Sequence, residues 1–156
     1  MPGSSVALAS RSVSPIELPY TACERIAAPA ATVFGLVAEA ELWPAWFRLV
    51  ERARLVGHRG SRRLVELRTG GLSAPRRWRV VQLVDEAARH VSFALAKGSG
   101  KGSAITWSIV AVDGADAACD VTVACRTRGG PFAVLGQRML ERVKEVAEGA
   151  SLAGRA

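Results

Sequence analysis

The sequence has few of the residues from which metal sites and thiol or imidazole active sites are built. It contains three cysteines, Cys23, Cys119 and Cys125, without a C-x-x-C pair, and two histidines, His58 and His90. An odd cysteine number argues against a disulfide framework and suits a reducing compartment, so we expect a cytoplasmic protein. Zinc-type ligand spacings are absent, and both histidines fall near predicted turns. We therefore predict no metal and no cofactor, and a Ser-His-Asp or Cys-His site is disfavoured.

Long hydrophobic runs are also missing. No apolar stretch approaches the ~18 residues of a membrane-spanning helix, and residues 6–9 are too few for the apolar core of a secretory signal. Hydrophobic residues form 49% of the 156-residue chain and charged residues 22%, which is typical of a globular protein. We predict a flexible tail over 1–18, rich in Ser, Ala and Pro without a period, followed by one domain over 19–151.

Acidic residues are too few to balance the basic ones. The chain has 21 Lys and Arg against 14 Asp and Glu, a net charge of +7, and 18 of the 21 cations are arginines. Seven of these lie close together in sequence: Arg59, Arg62, Arg63, Arg68, Arg76, Arg77 and Arg79. They form either the solvated outer face of a hairpin or a docking surface for an acidic partner. Nothing matches a recognition helix or an aromatic RNA-binding motif, so we expect no nucleic-acid partner.

Apolar residues near the C terminus recur at steps of three and four and predict one long amphipathic helix over 131–150. The apolar stripe consists of Phe132, Leu135, Gly136, Met139, Val143, Val146, Ala147 and Ala150. On the opposite face, Glu141 and Lys144 can support each other across a turn. A lone helix with one apolar face needs a sheet to lie on, and such a pair often encloses a cavity for a small molecule.

Most of the preceding chain has the period-two pattern of β-strands. We predict a first strand over about 19–27, short helical segments over 32–38 and 41–47, and strands over 48–56, 62–69, 76–85, 89–96, 104–112 and 118–127. Short loops between successive strands require antiparallel pairing. The predicted fold is α+β, a curved antiparallel sheet of about seven strands around the C-terminal helix, with the short helices closing one end.

Several short segments occur in an order that adds to this prediction. They are Ile26-Ala27-Ala28-Pro29 before Val33-Phe34, the segment Glu41-Leu42-Trp43-Pro44-Ala45-Trp46-Phe47, then Arg77-Trp78-Arg79, Trp107, and Gly130-Pro131-Phe132 opening the helix that contains Met139-Leu140-Glu141-Arg142-Val143-Lys144. Over about 20–148 they resemble the START-related helix-grip (SRPBCC) superfamily, specifically its polyketide cyclase/dehydrase branch. The resemblance implies a START-like fold that binds a hydrophobic molecule between sheet and helix. Members include aromatase/cyclases, lipid and coenzyme Q carriers, and plain binding proteins, so the fold leaves the function open.

The chain departs from single-domain aromatase/cyclases at two positions. Those proteins tend to place a pocket arginine on the strand of Trp78 and a tyrosine shortly after the short helices. The matching positions here hold Val84 or Leu83, and Val50. Polarisation of a substrate carbonyl would then need another donor.

Three polar residues are the candidates for catalysis. Glu24 would be a buried general acid or base if its face of the first strand points inward, and otherwise a partner of an arginine at the sheet edge. Gln82 could anchor a ligand carbonyl from the face of Trp78. Arg126 could replace the missing guanidinium if it turned inward, although Val121, Val123 and Cys125 have the pattern of the buried set.

The candidate ligand-binding residues are the aromatic and apolar side chains predicted to face the space between sheet and helix. They are Trp43, Trp46, Phe47, Val65, Leu67, Trp78, Val80, Phe93, Trp107, Phe132, Gly136 and Met139. The aromatic ones either stack on a planar ligand or simply supply buried area. Gly136 costs about 1 kcal/mol of helix propensity relative to Ala, and either makes room for a ligand or lets a strand approach.

The expected function is binding of a hydrophobic or polycyclic molecule, with cofactor-independent polyketide cyclase, aromatase or dehydratase-like chemistry in secondary metabolism. A lipid or quinone carrier and a protein-binding regulatory module of the same fold are the alternatives. The expected partners are the ligand or a polyketide intermediate and an acidic acyl carrier protein, in a monomer or homodimer that spans no membrane.

Overall fold

The computed structural model describes residues 20–70, 76–97, 101–126 and 132–155, so the predicted tail over 1–18 lies outside it. The elements in chain order are β1 (Tyr20–Ile26), α1 (Ala30–Ala38), a 3-10 turn (Ala40–Leu42), α2 (Trp43–Trp46), β2 (Val50–Arg59), β3 (Arg62–Thr69), β4 (Arg76–Asp85), β5 (His90–Leu95), β6 (Ala104–Val112), β7 (Ala115–Arg126) and α3 (Phe132–Arg155). The strands form one seven-stranded sheet in the order β1-β7-β6-β5-β4-β3-β2, and every neighbouring pair is antiparallel. The predicted α+β architecture is confirmed.

Alternation along the strands separates an apolar inner face from a polar outer face. On β4, Trp78 and Val80 are buried, whereas Arg77 and Arg79 are exposed. Cross-strand neighbours share a face, so the inner face continues from strand to strand. On three strands the side chains of one face are buried, namely Val65, Leu67 and Thr69, then Trp78, Val80 and Gln82, then Ile105, Trp107 and Ile109.

The long helix α3 packs against β1, β7 and α1 and covers the inner face of the sheet. Its predicted stripe is buried or half-buried from Phe132 to Ala147. Ala150 is exposed, which corrects the last position of the stripe, because α3 runs on past the edge of its contacts. Leu140 is buried as well, so the apolar face is wider than predicted.

Polar contacts fasten the C-terminal half of α3. Lys144 Nζ donates to Glu148 Oε2 at 2.8 Å and to the Arg25 carbonyl at 3.0 Å, instead of supporting Glu141. Glu148 also accepts the Ala27 N–H at 2.9 Å. These bonds join α3 to the end of β1.

The helical segments between β1 and β2 close one end of the inner face. Pro29 precedes α1, where a residue that lacks an N–H is tolerated. Trp43 is buried, and its Nε1 donates to the Leu36 and Val37 carbonyls at 3.1 and 3.3 Å. Its ring meets Phe93 edge-on at 4.9 Å, which joins this end to the sheet.

Candidate functional site

A small cavity lies between the inner face of the sheet and the first two turns of α3. Its volume is ≈ 10 Å³, about the space that one water molecule needs. The residues around it are Trp43, Leu67, Val80, Phe93, Ile105, Trp107, Phe132, Leu135, Gly136 and Met139. None of these side chains is ionisable, so the wall supplies shape and hydrophobic contact but no acid or base.

Eight of the ten wall residues are among the predicted ligand-binding residues. The two that were missed are Ile105 and Leu135. Ile105 lies directly opposite Phe93 in the sheet, and Leu135 is part of the predicted stripe of α3. Both could have been found by following the cross-strand and helical neighbours of residues already chosen.

Four predicted ligand-binding residues lie elsewhere. Trp46 and Phe47 stack on each other at 5.8 Å beside the cavity end. Val65 is buried in the sheet but not on the cavity wall. Trp78 packs against Phe132 at 5.6 Å between ring centroids, and its Nε1 donates to Thr69 Oγ1 at 2.7 Å.

Besides Trp43, Trp107 is the wall residue with an indole N–H. The residue is 0% exposed, and its Nε1 has no hydrogen-bond partner among the described residues. Leaving a buried donor unpaired costs about 1–3 kcal/mol. Trp46 Nε1 is also unpaired within the described part of the chain, but it does not line the cavity, whereas Trp43 and Trp78 both donate to protein acceptors.

A polar cluster lies on the inner face beside the C-terminal end of α1. Gln82 is fully buried, and its Nε2 donates to the Ala38 carbonyl at 2.9 Å. Its Oε1 accepts from Arg63 Nη1 at 3.4 Å, and Arg63 Nη2 donates to Glu41 at 3.0 Å. Gln82 therefore holds α1 on the sheet. Arg63 was not among the predicted site residues, although the strand alternation that turns Val65 inward also turns Arg63 inward.

The other two polar candidates do not face the cavity. Glu24 lies opposite Val121 on the inward side of β1, but it is exposed because β1 is the edge strand. Arg126 is exposed, since it follows the buried Cys125 and strand alternation turns it outward. Glu24 is therefore not a buried acid or base, the first of its two alternatives, and Arg126 does not turn inward to replace the missing guanidinium.

A wider groove of ≈ 610 Å³ opens beside α3. Its residues are Phe47, Arg48, Leu49, Gly70, Arg138, Glu141, Arg142 and Glu145. Arg142 Nε donates to the Trp46 carbonyl at 2.8 Å and holds α3 to α2 there. The groove is lined by charged side chains, unlike the apolar cavity.

Within the described ranges, no group of three or more His, Cys, Asp or Glu side chains could hold a metal ion. No helix among these residues has the length and hydropathy needed to cross a membrane.

Comparison with protein families gives one match over most of the chain. The model described as polyketide cyclase / dehydrase and lipid transport matches residues 20–151. No curated protein matches the chain significantly.

Solved structures with a similar fold include proteins from polyketide pathways. The di-domain ARO/CYC StfQ from the steffimycin biosynthetic pathway is 25% identical with a TM-score of 0.68, and the match covers 84% of this chain and 44% of StfQ. The chain thus spans less than half the length of StfQ. The Zhui aromatase/cyclase from Streptomyces sp. R1128 is 18% identical with a TM-score of 0.61, over 87% of this chain and 89% of that one.

A START superfamily protein from Mycobacterium smegmatis is also similar, at 18% identity and a TM-score of 0.66, over 85% of this chain and 95% of that one. At 18% identity, the likeness to this protein and to Zhui concerns the fold alone. The expected helix-grip fold is confirmed.

Proposed function

Because this chain belongs to the polyketide cyclase / dehydrase and lipid transport family, we propose that it binds a polycyclic, polyketide-like molecule between the sheet and α3. The observation that carries the proposal is the indole Nε1 of Trp107, a wall residue, which has no hydrogen-bond partner among the described residues. A carbonyl oxygen of a bound ligand would accept this hydrogen bond and recover the cost of the buried donor. Polyketide-like rings meet both requirements, because their apolar surface can contact the wall and their carbonyl oxygens can accept the hydrogen bond.

Binding requires the cavity to expand, because its volume is only ≈ 10 Å³. The start of α3, its first two turns, is the wall that can move. It meets the sheet through Phe132, Leu135 and Met139, whereas the described hydrogen bonds of α3 to other elements come from Arg142, Lys144 and Glu148. An outward shift of the first turns would therefore break apolar contacts that the ligand replaces.

The wall residues of this pocket offer a shaped apolar surface and one unpaired hydrogen-bond donor among the described residues, the Trp107 indole. A shaped apolar wall can fold a reactive chain and bring its carbon atoms together, which lowers the entropic part of the barrier. The indole N–H would stabilise negative charge that develops on a carbonyl oxygen during enolisation. Gln82 and Arg63 would give a second polar contact to a ligand long enough to reach the end of α1. These roles fit cyclisation or aromatisation in secondary metabolism.

A lipid or quinone carrier is the second candidate, and one observation favours it. The ten wall residues contain no acid or base that could move a proton. A carrier needs only apolar contact and, for a quinone, one donor to its carbonyl.

The proposal also covers how the polyketide intermediate reaches the protein and in which compartment the protein works. A polyketide intermediate would arrive on an acidic acyl carrier protein, whose charge is opposite to the net +7 of this chain. A reducing compartment such as the cytoplasm suits the odd number of cysteines and the absence of a C-x-x-C pair.

The test compares two planar ligands that differ in their carbonyl groups. Anthraquinone and anthracene are titrated against the wild-type protein and against Trp107→Phe, with Trp46→Phe as the matched control. Wild type and the control should prefer anthraquinone by about 5-fold, which corresponds to one hydrogen bond of ~1 kcal/mol. Trp107→Phe should bind both ligands equally. A wild-type protein that binds neither ligand, or a preference that survives Trp107→Phe, would contradict the proposal.

A second measurement separates the two candidates. The protein is purified without added ligand, its mass is measured under native conditions, and bound molecules are extracted and identified. A polycyclic aromatic compound supports the cyclase-like function, and a phospholipid or isoprenoid quinone supports the carrier.

A further inference from the structure

The outer face of β2, β3 and β4 carries a row of three arginines, Arg52, Arg68 and Arg77. Arg52 lies directly opposite Arg68, and Arg68 lies directly opposite Arg77. Neighbouring strands are about 4.8 Å apart, and like charges directly opposite one another destabilise a sheet. Arg68 Nε is 3.6 Å from Glu51 Oε1, whereas Arg52 and Arg77 have no ion-pair partner among the described residues.

A second row beside the first leaves the positive charge unbalanced. Glu66 lies between Arg54 and Arg79 and accepts a hydrogen bond from each, at 3.1 and 3.2 Å. The bond from Arg79 lowers the pKa of Glu66, so its carboxylate remains ionised. The single carboxylate of Glu66 thus pairs with two guanidinium groups. With Lys97 at the end of the face, five arginines and one lysine oppose Glu51 and Glu66, a net charge of +4.

The surface between these side chains is hollowed. A depression of ≈ 140 Å³ is lined by Arg52, Arg54, Glu66, Leu67, Arg68 and Arg77. A second, of ≈ 350 Å³, is lined by Glu66, Arg77, Trp78, Arg79 and Lys97. Arg77 borders both, so carboxylates that enter either depression meet its guanidinium.

Apolar side chains continue the same face beyond the two rows. Leu64 and Val81 are directly opposite each other on β3 and β4. Val56 is 37% exposed and Leu83 is 41% exposed. This combination of arginines and exposed apolar residues suits a protein segment better than nucleic acid, because a phosphate backbone has no use for the apolar strip.

We propose that this basic-apolar face, formed by Arg52, Arg54, Arg68, Arg77 and Arg79 with Val56, Leu64, Val81 and Leu83, docks an acidic amphipathic helix of another protein. Carboxylates of the helix pair with the arginine row, and its apolar residues cover Leu83 and its neighbours. The arginine rows and the apolar strip both run across β2, β3 and β4, so a helix of about 14 residues that crosses these strands meets them with adjacent faces. The inference does not depend on what the cavity binds.

The probe is a synthetic amphipathic helix of about 14 residues with glutamates along one face and leucines beside them. Its affinity is measured by fluorescence anisotropy for wild type, for Arg52→Glu with Arg77→Glu, and for Arg48→Glu with Arg138→Glu. Each double variant lowers the net charge from +7 to +3, but the second pair lies on the groove beside α3. We expect the first double variant to keep its fold, because a glutamate replaces the arginine on each side of Arg68. Thermal unfolding measures whether it does.

We expect Arg52→Glu with Arg77→Glu to weaken peptide binding by about 10-fold or more, and the control pair by no more than about 2-fold. Leu83→Ser should weaken it by about 3-fold. Anthraquinone affinity, measured in parallel, should be the same in all these variants. Equal losses in both double variants, or no binding of the peptide to wild type at low salt, would overturn the proposal. Tighter binding of a DNA duplex that depends on Arg52 and Arg77 would overturn it as well.

Discussion

The first two turns of α3 and its later turns are held in different ways. The first turns, around Phe132 and Met139, face the cavity and pack through apolar side chains. The later turns are also fastened by hydrogen bonds, from Lys144 to the Arg25 carbonyl and from the Ala27 N–H to Glu148. Apolar contacts are non-directional and can be exchanged for a ligand, whereas a hydrogen bond depends on position. The proposed opening of the pocket depends on this difference, because it moves only the first turns of α3.

The largest expected effect comes from removing the ring at the start of α3. Phe132→Ala should lower the free energy of unfolding by about 3–5 kcal/mol, because it removes a buried aromatic side chain and leaves a cavity. The same space should raise the affinity for anthraquinone. Urea denaturation and ligand titration measure the two effects.

Leu140→Ala is the matched control for Phe132→Ala. Leu140 is buried on α3 but does not line the cavity. Its removal should cost about 2–5 kcal/mol without a gain in ligand affinity. If both variants changed the affinity alike, the placement of the ligand beside Phe132 would be wrong.

A smaller effect is expected from loosening the anchored half. Lys144→Met removes the bonds to the Arg25 carbonyl and to Glu148, and should cost about 1–2 kcal/mol. In wild type, amide hydrogen exchange should be slower around Lys144 than around Met139, and the variant should reduce that difference. Uniform exchange along α3 in wild type would contradict the comparison.

The smallest effect depends on pH. The Ala27 N–H and Lys144 hydrogen bonds lower the pKa of Glu148 below the ordinary value of 4.5. A lowered pKa contributes stability that is present above pH 4.5 and is lost as the pH falls through the folded-state value. Wild type should therefore be more stable than Glu148→Gln at pH 7, with the difference shrinking in acid. A difference that stays constant from pH 7 to acid would exclude this contribution.

The sequence predicted the parts of the fold that depend on periodicity. Period-two segments located the strands, and the steps of three and four located α3, because burial on one side imposes these patterns. The end of the stripe at Ala150 was wrong, since periodicity says nothing about where a helix leaves its sheet. The exposure of Glu24 could not be decided from the sequence, because the inward face of the first strand was left open and only the strand order shows that β1 is an edge.

The candidate site was predicted in its apolar part and missed in its polar part. Most wall residues follow from alternation, as Trp107 and Phe93 illustrate. The unpaired state of the Trp107 indole depends on where acceptors lie in three dimensions, and no sequence pattern encodes it. Arg63 could have been found from alternation, but its position on a strand of many arginines suggested a solvated surface.

The most direct test of the account is an NMR measurement of the four indole N–H groups during titration with anthraquinone. The account predicts that the Trp107 Nε1–H resonance moves downfield as the carbonyl accepts its hydrogen bond, and that anthracene does not produce this shift. Trp46, which is unpaired but away from the cavity, and Trp43 and Trp78, which already have acceptors, should move little. Saturable binding that leaves the Trp107 resonance in place, or shifts Trp46 instead, would contradict a ligand site between the sheet and α3.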